Sequence, residues 1–355
     1  MFLRNAWYVC AFSHEVNRNP LGRILLNEPI VFFRRQDGGV VALEDRCSHR
    51  GFPLHKGRLV DDTLECGYHG LTFDCSGRCI RIPGQSEVPA RAAIRAYPVI
   101  ERWGLVWIWM GEAADADPRG IVDWHILGDG ARDMRGEHLH VRCNYQLITD
   151  NLLDLSHISF VHPRTLGSAA RLNEAQVENE ITDDHVTTAR WLPDIAPPPT
   201  YARFNFKGNV DRFQITTFNP PGFVKLFAGA AATGTVSDRR SFSSEGMAGD
   251  AARSRAGDVV GLYTFNAMTP ETEHTTHYFW CISQDRESQG QSLTDNVFRD
   301  IQATVQEDVA VFEAQQRWLE LKPEAPMVVI KSDAGPLAAR RIIEQRLRRE
   351  AGRGM

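Results

Sequence analysis

Short apolar runs separated by turn signals fill the first third of the chain. Ile30-Val31-Phe32-Phe33 and Val40-Val41-Ala42-Leu43 flank Gln36-Asp37-Gly38-Gly39, and Cys75-Ser76-Gly77 marks another reversal. This pattern predicts an all-β unit over residues 1–115, closed by an aromatic-rich strand from Trp103 to Met110. The small, polar, Pro-terminated stretch Gly111 to Pro118 predicts a boundary, which leaves 116–355 as a second domain. There, strands such as Phe213–Phe218 and His277–Trp280 mix with helices expected near 147–161, 294–320 and 336–350, so the fold class is α+β. Residues 229–258 are rich in Gly, Ala, Ser and Asp without periodicity and read as a surface loop, a candidate lid.

Composition narrows the picture without giving a function. A chain of 355 residues suits two domains of about 100–200 residues each. With 43% apolar and 24% charged residues it is an ordinary globular composition, and a net charge of −5 offers no basic footprint for nucleic acid or an anionic membrane. The opening Met1-Phe2-Leu3-Arg4-Asn5-Ala6-Trp7 lacks the apolar core of a signal peptide, and no apolar run approaches the roughly 20 residues that span a bilayer. A cytoplasmic location is the expectation. Seven cysteines, an odd number, argue against a disulfide framework and turn attention to metal binding.

Cys47-Ser48-His49-Arg50-Gly51 is followed, after sixteen intervening residues from His49, by Cys66-Gly67-Tyr68-His69-Gly70. Structural zinc sites usually open with two cysteines close together, whereas here each loop carries one Cys and one His. That distribution suits a Rieske [2Fe–2S] cluster, in which one iron takes two thiolates and the other two imidazoles. Glycines at 51, 67 and 70 permit close backbone approach. Cys75 and Cys79 follow the second loop but exceed a set of four ligands, so they read as small buried residues.

A second polar constellation lies in Asp150-Asn151-Leu152-Leu153-Asp154-Leu155-Ser156-His157-Ile158-Ser159-Phe160-Val161-His162-Pro163. Residues 151, 154 and 157 recur at a spacing of three and form a polar stripe on a helix that is otherwise apolar. His157 and His162 are five apart, about 140° on a regular helix, so the helix must widen or end before both can reach one ion. Pro163 favours an ending. Two histidines call for one carboxylate to complete the facial triad of a ferrous oxygenase. Periodicity supplies it: Val297, Ile301, Val305, Asp308 and Phe312 share a face, and a carboxylate on an apolar face must be paired, protonated or metal-bound. Glu307 points off that face in this reading. The plainer alternatives are helix histidines satisfied near a turn and an aspartate paired with an arginine.

Together these residues resemble the Rieske non-haem iron oxygenases. Cys47 to Leu54 matches Cys-x-His-Arg-Gly-x-Pro-Leu, Cys66 to Phe73 matches Cys-x-Tyr-His-Gly-Leu-x-Phe, and Asn151 to His162 matches the family's Asn-Leu-x-Asp-x-x-His-x4-His. The likeness extends over nearly the whole chain to the group containing vanillate and dicamba O-demethylases, through Arg4 to Val9, Ala196-Pro197-Pro198, Thr269-Pro270-Glu271, Leu293 to Asn296, Glu307-Asp308 and Asp333-Ala334-Gly335.

The resemblance implies a Rieske domain followed by a helix-grip catalytic domain with an antiparallel sheet, in a homotrimer. Asp154 would bridge His69 of one subunit to His157 of the next, and Asn151 would lie near a mononuclear Fe(II). It further implies a terminal oxygenase that uses O2 and electrons from NAD(P)H through a separate flavin/iron–sulfur reductase. No Rossmann fingerprint or further four-cysteine set is present for a reductase domain. The expected reaction inserts oxygen into the methoxy C–H bond of a small aromatic acid such as vanillate, giving a phenol and formaldehyde. Methyl hydroxylation, N-demethylation or ring hydroxylation of another small aromatic is the alternative. From other classes come an electron carrier with a vestigial second site and a zinc-dependent binding module. Asn266 and Arg299 are candidate substrate contacts.

Overall fold

The structure, a computed structural model, describes residues 1–128, 130, 132–163, 166, 175–197, 206–234 and 259–353. The chain divides into two compact units. One comprises Met1–Asp123, Thr269–Glu273 and a C-terminal stretch from Glu350; the other comprises Trp124–Met268 and His274–Arg349. The stretch expected as a linker forms single turns at Ala113–Asp115 and Pro118–Gly120 and stays with the first unit. The Asp117 carbonyl accepts the Trp7 indole N–H at 2.8 Å, which ties this stretch back to the first strand. Backbone bonds from Leu26 to Pro270 and from Asn27 to Glu271, both 2.9 Å, show why a late segment belongs there too. Pairing at such separations leaves no local trace in sequence.

The first unit is all-β, as its apolar runs require. It holds β1 (Trp7–Phe12), β2 (Leu21–Leu25), β3 (Glu28–Arg34), β4 (Val40–Glu44), β5 (Arg58–Val60), β6 (Thr63–Glu65), β7 (Thr72–Phe73), β8 (Cys79–Arg81), β9 (Ala96–Tyr97), β10 (Val99–Arg102) and β11 (Leu105–Trp109). They form sheets ordered β1-β11-β10, β2-β3-β4-β9 and β5-β6-β7-β8. All five residues of β11 are buried, which accounts for its continuous apolar composition. The two Cys/His loops join β4 to β5 and β6 to β7, with Leu54, Leu64, Leu71 and Phe73 packed in one core with both cysteines. Cys79 is buried in the same core and Cys75 packs against it, and their thiols donate to the carbonyls of Arg81 and Asp62.

The second unit is built on seven strands: β12 (Arg132–Val141), β13 (Gln176–Ile181), β14 (Val186–Ile195), β15 (Val210–Asn219), β16 (Phe223–Ala232), β17 (Val259–Pro270) and β18 (Thr276–Asp285). Their order is β12-β18-β17-β16-β15-β14-β13. Residues 229–232 complete β16 rather than opening a loop, while 235–258, the rest of the expected lid, lie outside the described residues. Among the described residues the α-helices are α1 (Tyr145–Leu153), α2 (Ile158–Val161), α3 (Arg286–Leu321) and α4 (Ala334–Arg353).

One helix was expected across 147–161, and the structure breaks it. α1, capped at its start by Asn144, ends at Asp154, whose carboxylate accepts the Ser156 N–H at 2.9 Å and begins a separate turn, Leu155–His157. A short side-chain acceptor offers the backbone an alternative to the helix ladder, and here it prevails. The polar stripe therefore bends at its middle residue. On α3, Val297, Val305 and Phe312 are buried as periodicity predicted, and Asp308 lies inward with them.

Candidate metal centres

The loops in the first unit are near-copies of one another. In one, Cys47 N donates to Phe52 O at 2.9 Å and Gly51 N to Cys47 O at 2.8 Å; in the other, Cys66 N donates to Leu71 O at 2.8 Å and Gly70 N to Cys66 O at 3.0 Å. Closing each loop this way needs a left-handed residue four places after the cysteine. Gly51 and Gly70 supply it, at φ +68 and +72. At Gly67 a Cβ would come within 2.9 Å of the Lys56 carbonyl, so the glycine there serves close packing instead.

Twin loops bring the chemistry together. Cys47 and Cys66 are buried, while the His49 and His69 rings lie 4.7 Å apart on the exposed side. Burial pushes the Cys47 thiol up to about 11, opposed by the N–H groups of His49 and Arg50 and reinforced by the adjacent Cys66. A thiol in that environment becomes a thiolate when a metal's charge stabilises it. All seven cysteines are free, so no disulfide competes for this pair. Two inward thiols and two outward imidazoles match the donor set of a Rieske cluster, with its histidine edge toward solvent.

In the second unit His157 Nε2 lies 3.6 Å and His162 Nε2 3.0 Å from Asp308 Oδ1. One ligand atom from each of the three residues lies within 4.8 Å of the others, a spread that a single ion can span. His157 ends the turn after Asp154 and His162 ends α2, so the ending between them is what allows convergence.

The opposite nitrogens are anchored. His157 Nδ1 meets the Asp154 carbonyl at 2.7 Å, and His162 Nδ1 meets Glu307 Oε2 at 2.7 Å. Each acceptor holds a proton on Nδ1 and leaves the Nε2 lone pair aimed at the shared point, the usual support for an imidazole ligand. Burial also pushes His157 below its ordinary value, toward the neutral form that binds metal. For His162 burial acts in the same direction, but Asp308 and Glu307 outweigh it and raise the value.

Other expected residues fall in varied places. Asn151 Nδ2 donates to Asp308 Oδ1 at 3.2 Å, which puts its amide beside the triad. The Asp154 carboxylate caps its own turn, and it is the backbone carbonyl that orients His157. Asn266 lines the cavity beside the triad with its amide engaged: Nδ2 donates to Val224 O at 3.2 Å, and Oδ1 accepts from Tyr278 at 2.7 Å. Arg299 corrects the expectation, since it is exposed on α3, pairs with Asn296 and stays outside the cavity.

Sequence reasoning missed Glu307, which was read as pointing away yet reaches His162. It also missed two arginines that hold the ligand segment. Arg190 of β14 donates to the Leu155 carbonyl, and Arg212 of β15 donates to the Leu166 carbonyl at 3.1 Å. Burial lowers Arg190 to about 10, together with the nearby charge of Arg212 and against the pull of Asp154. Only the alternation of β14 and β15 could have signalled that these cations face inward.

The cavity beside the triad has a volume of about 120 Å³, room for far more than one water. Leu155, Ile158, Leu226, Leu262 and Val305 make its wall largely apolar.

Comparison with known proteins matches two stretches of the chain to two different domain families. Residues 6–98 match the Rieske [2Fe-2S] domain family, and residues 141–349 match the vanillate O-demethylase oxygenase C-terminal domain family. The chain is 39% identical over 356 residues to a toluene-4-sulfonate monooxygenase system iron–sulfur subunit of Comamonas testosteroni, covering 99% of each. It is 36% identical over 359 residues to a vanillate O-demethylase oxygenase subunit of a Pseudomonas species, covering 99% of this chain and 96% of the relative. Among solved structures, dicamba monooxygenase bound to dicamba superposes with a TM-score of 0.86 at 33% identity, covering 99% of both chains.

Proposed function

This chain belongs to the Rieske non-haem iron oxygenase family, and from that premise we propose that it is a terminal oxygenase component that O-demethylates a small methoxylated aromatic acid. The observation that carries the reading is the pair of Nε2 atoms converging on Asp308 beside an apolar cavity, each imidazole fixed from behind. Cys47, His49, Cys66 and His69 would hold the [2Fe–2S] cluster, and His157, His162 and Asp308 the mononuclear iron. When bound, the cluster supplies electrons one at a time and the ferrous centre supplies activation of O2.

The chain's own residues do the rest. Glu307 and the Asp154 carbonyl hold the two imidazoles in one tautomer. Asn151 donates to Asp308 Oδ1 and so restrains its carboxylate. The apolar wall keeps water from the reacting methyl group, which limits wasteful electron leakage. Asp154 would carry the electron path between His69 of one subunit and His157 of the next, in a cytoplasmic homotrimer fed by a separate NAD(P)H-linked reductase. Among the described residues, no helix is long and apolar enough to cross a membrane.

A second reading, hydroxylation of an aryl methyl group, is favoured by the 39% identity to the toluene-4-sulfonate monooxygenase subunit. Both reactions oxidise a methyl C–H bond held against the same iron. Formaldehyde release over a panel of methoxybenzoates, with a compatible reductase, tests the first. Formation of a benzylic alcohol from toluene-4-sulfonate without formaldehyde would select the second.

A further inference from the structure

The cavity beside the triad is apolar along most of its wall, with polar groups at several points, Arg212 and Gln214 of β15 among them. Register aligns Arg212 and Gln214 of β15 with Ala230 and Ala228 of β16, so all four side chains share a face, and the short Ala228 lines the cavity beside Gln214. Arg212 is 1% exposed and Gln214 is 2% exposed, and both line the cavity. The Gln214 side-chain carbonyl oxygen is buried without a hydrogen-bond partner among the described residues. A buried polar atom left without a partner costs about 1–3 kcal/mol, and turning the Gln214 amide toward an occupant of the cavity would recover it.

We propose that Arg212 and Gln214 form the subsite that receives the anionic group of the aromatic substrate, a carboxylate or a sulfonate, and so set the specificity of the enzyme for aromatic acids. The inference rests on the oxygenase reading of the cavity and deepens it. Guanidinium N–H groups suit a planar or tetrahedral oxyanion, and the neighbouring amide can turn its N–H groups toward the remaining oxygens. The segment that carries His162 continues to Leu166, whose carbonyl already receives Arg212 Nη1. A ring anchored by its anion here therefore lies along the apolar wall with its far substituents toward the triad. Both relatives described above are named for aromatic anions, vanillate and toluene-4-sulfonate, which agrees with a cation in the cavity wall.

The test is calorimetric binding, under nitrogen, of 3-methoxybenzoate, 3-methoxybenzenesulfonate and anisole to the cluster-loaded enzyme. Anisole keeps the ring and methoxy group and lacks the anion. Gln214→Leu should weaken the preferred anion roughly tenfold or more, as loss of a hydrogen bond to a charged group implies, while anisole stays within about threefold. Gln214→Glu sets a carboxylate against the anion and should abolish its binding while anisole still binds. Visible absorption of the cluster and thermal melting confirm that both variants are folded. The two anion arms show whether carboxylate or sulfonate is preferred.

Wild-type enzyme that binds neither anion overturns the subsite, and so does a variant that loses anisole as strongly as the anions or leaves the anions unchanged. Anion binding that depends on Gln214, with no formaldehyde released on turnover, would leave the subsite standing and remove O-demethylation.

Discussion

Glu307 and Asp308, consecutive residues of α3, engage the two ring nitrogens of His162, Oε2 at 2.7 Å from Nδ1 and Oδ1 at 3.0 Å from Nε2. Successive helix residues usually diverge, being about 100° apart around the axis. Both reach one imidazole because His162 closes the end of α2 and is 1% exposed against α3, where the longer Glu307 meets Nδ1 and the shorter Asp308 meets Nε2. Glu307 thereby sets the tautomer that lets Nε2 act as a ligand.

Glu307→Gln is expected to keep the contact but lose its charge. Loss of such a supporting carboxylate commonly lowers metal affinity by about 10–100-fold. Chelator titration should therefore strip the mononuclear iron at correspondingly lower chelator, with the visible spectrum of the cluster unchanged. Iron retention equal to wild type would reduce the Glu307 contact to packing.

Asp308→Ala removes the only carboxylate of the grouped triad. Iron per chain is expected to drop from about three to about two, the count for a two-iron cluster plus one mononuclear ion, and oxygenation should cease. The cluster should remain coloured and reducible. An Asp308→Ala enzyme with full iron and turnover would place the third ligand elsewhere.

Cys66→Ser acts in the other unit. Cys66 is 2% exposed within the core shared by both loops, so losing the cluster there also loosens that core. The expected outcome is bleached visible absorption and a lower melting temperature, because metal binding and folding are linked. A normal Rieske EPR signal after the change would exclude Cys66 as a ligand.

Asp154→Asn is expected to block electron transfer while both metal centres stay occupied. The asparagine side-chain oxygen can still cap the Ser156 N–H, so the break between α1 and the next turn should persist, and the backbone carbonyl that orients His157 is untouched. Single-turnover stopped-flow with substrate present should show normal reduction of the cluster and re-oxidation slowed by orders of magnitude. Re-oxidation within a few-fold of wild type would send the electrons by another route.

Much of this architecture was legible in sequence because its signals are local. The paired Cys/His loops, the α3 face from Val297 to Phe312 and the His157/His162 spacing all follow from short-range pattern. What escaped was set by tertiary geometry. The break at Asp154 came from a side-chain cap that outcompeted the helix ladder. Glu307 was misassigned because periodicity gives the direction of a Cα–Cβ bond, not the reach of a long side chain. Arg299 shares a helix with Asp308 but faces solvent, and Arg190 and Arg212 became meaningful only once strand register turned them toward the ligand segment. Return of 269–273 to the first unit rests on pairing across more than half the chain.

Arg212 belongs to two structures at once, the lining of the cavity and the tether on the Leu166 carbonyl, four residues beyond His162. The Leu166 N–H in turn donates to the His162 carbonyl at 3.2 Å, so guanidinium, loop and ligand form one connected piece. An occupant of the cavity that draws on that guanidinium does work on the strut supporting the metal. By reciprocity of linkage, whatever factor such an occupant changes the ion's affinity by, the ion changes the occupant's by the same factor. One buried guanidinium thus makes what binds the cavity and what His162 ligates answer to each other.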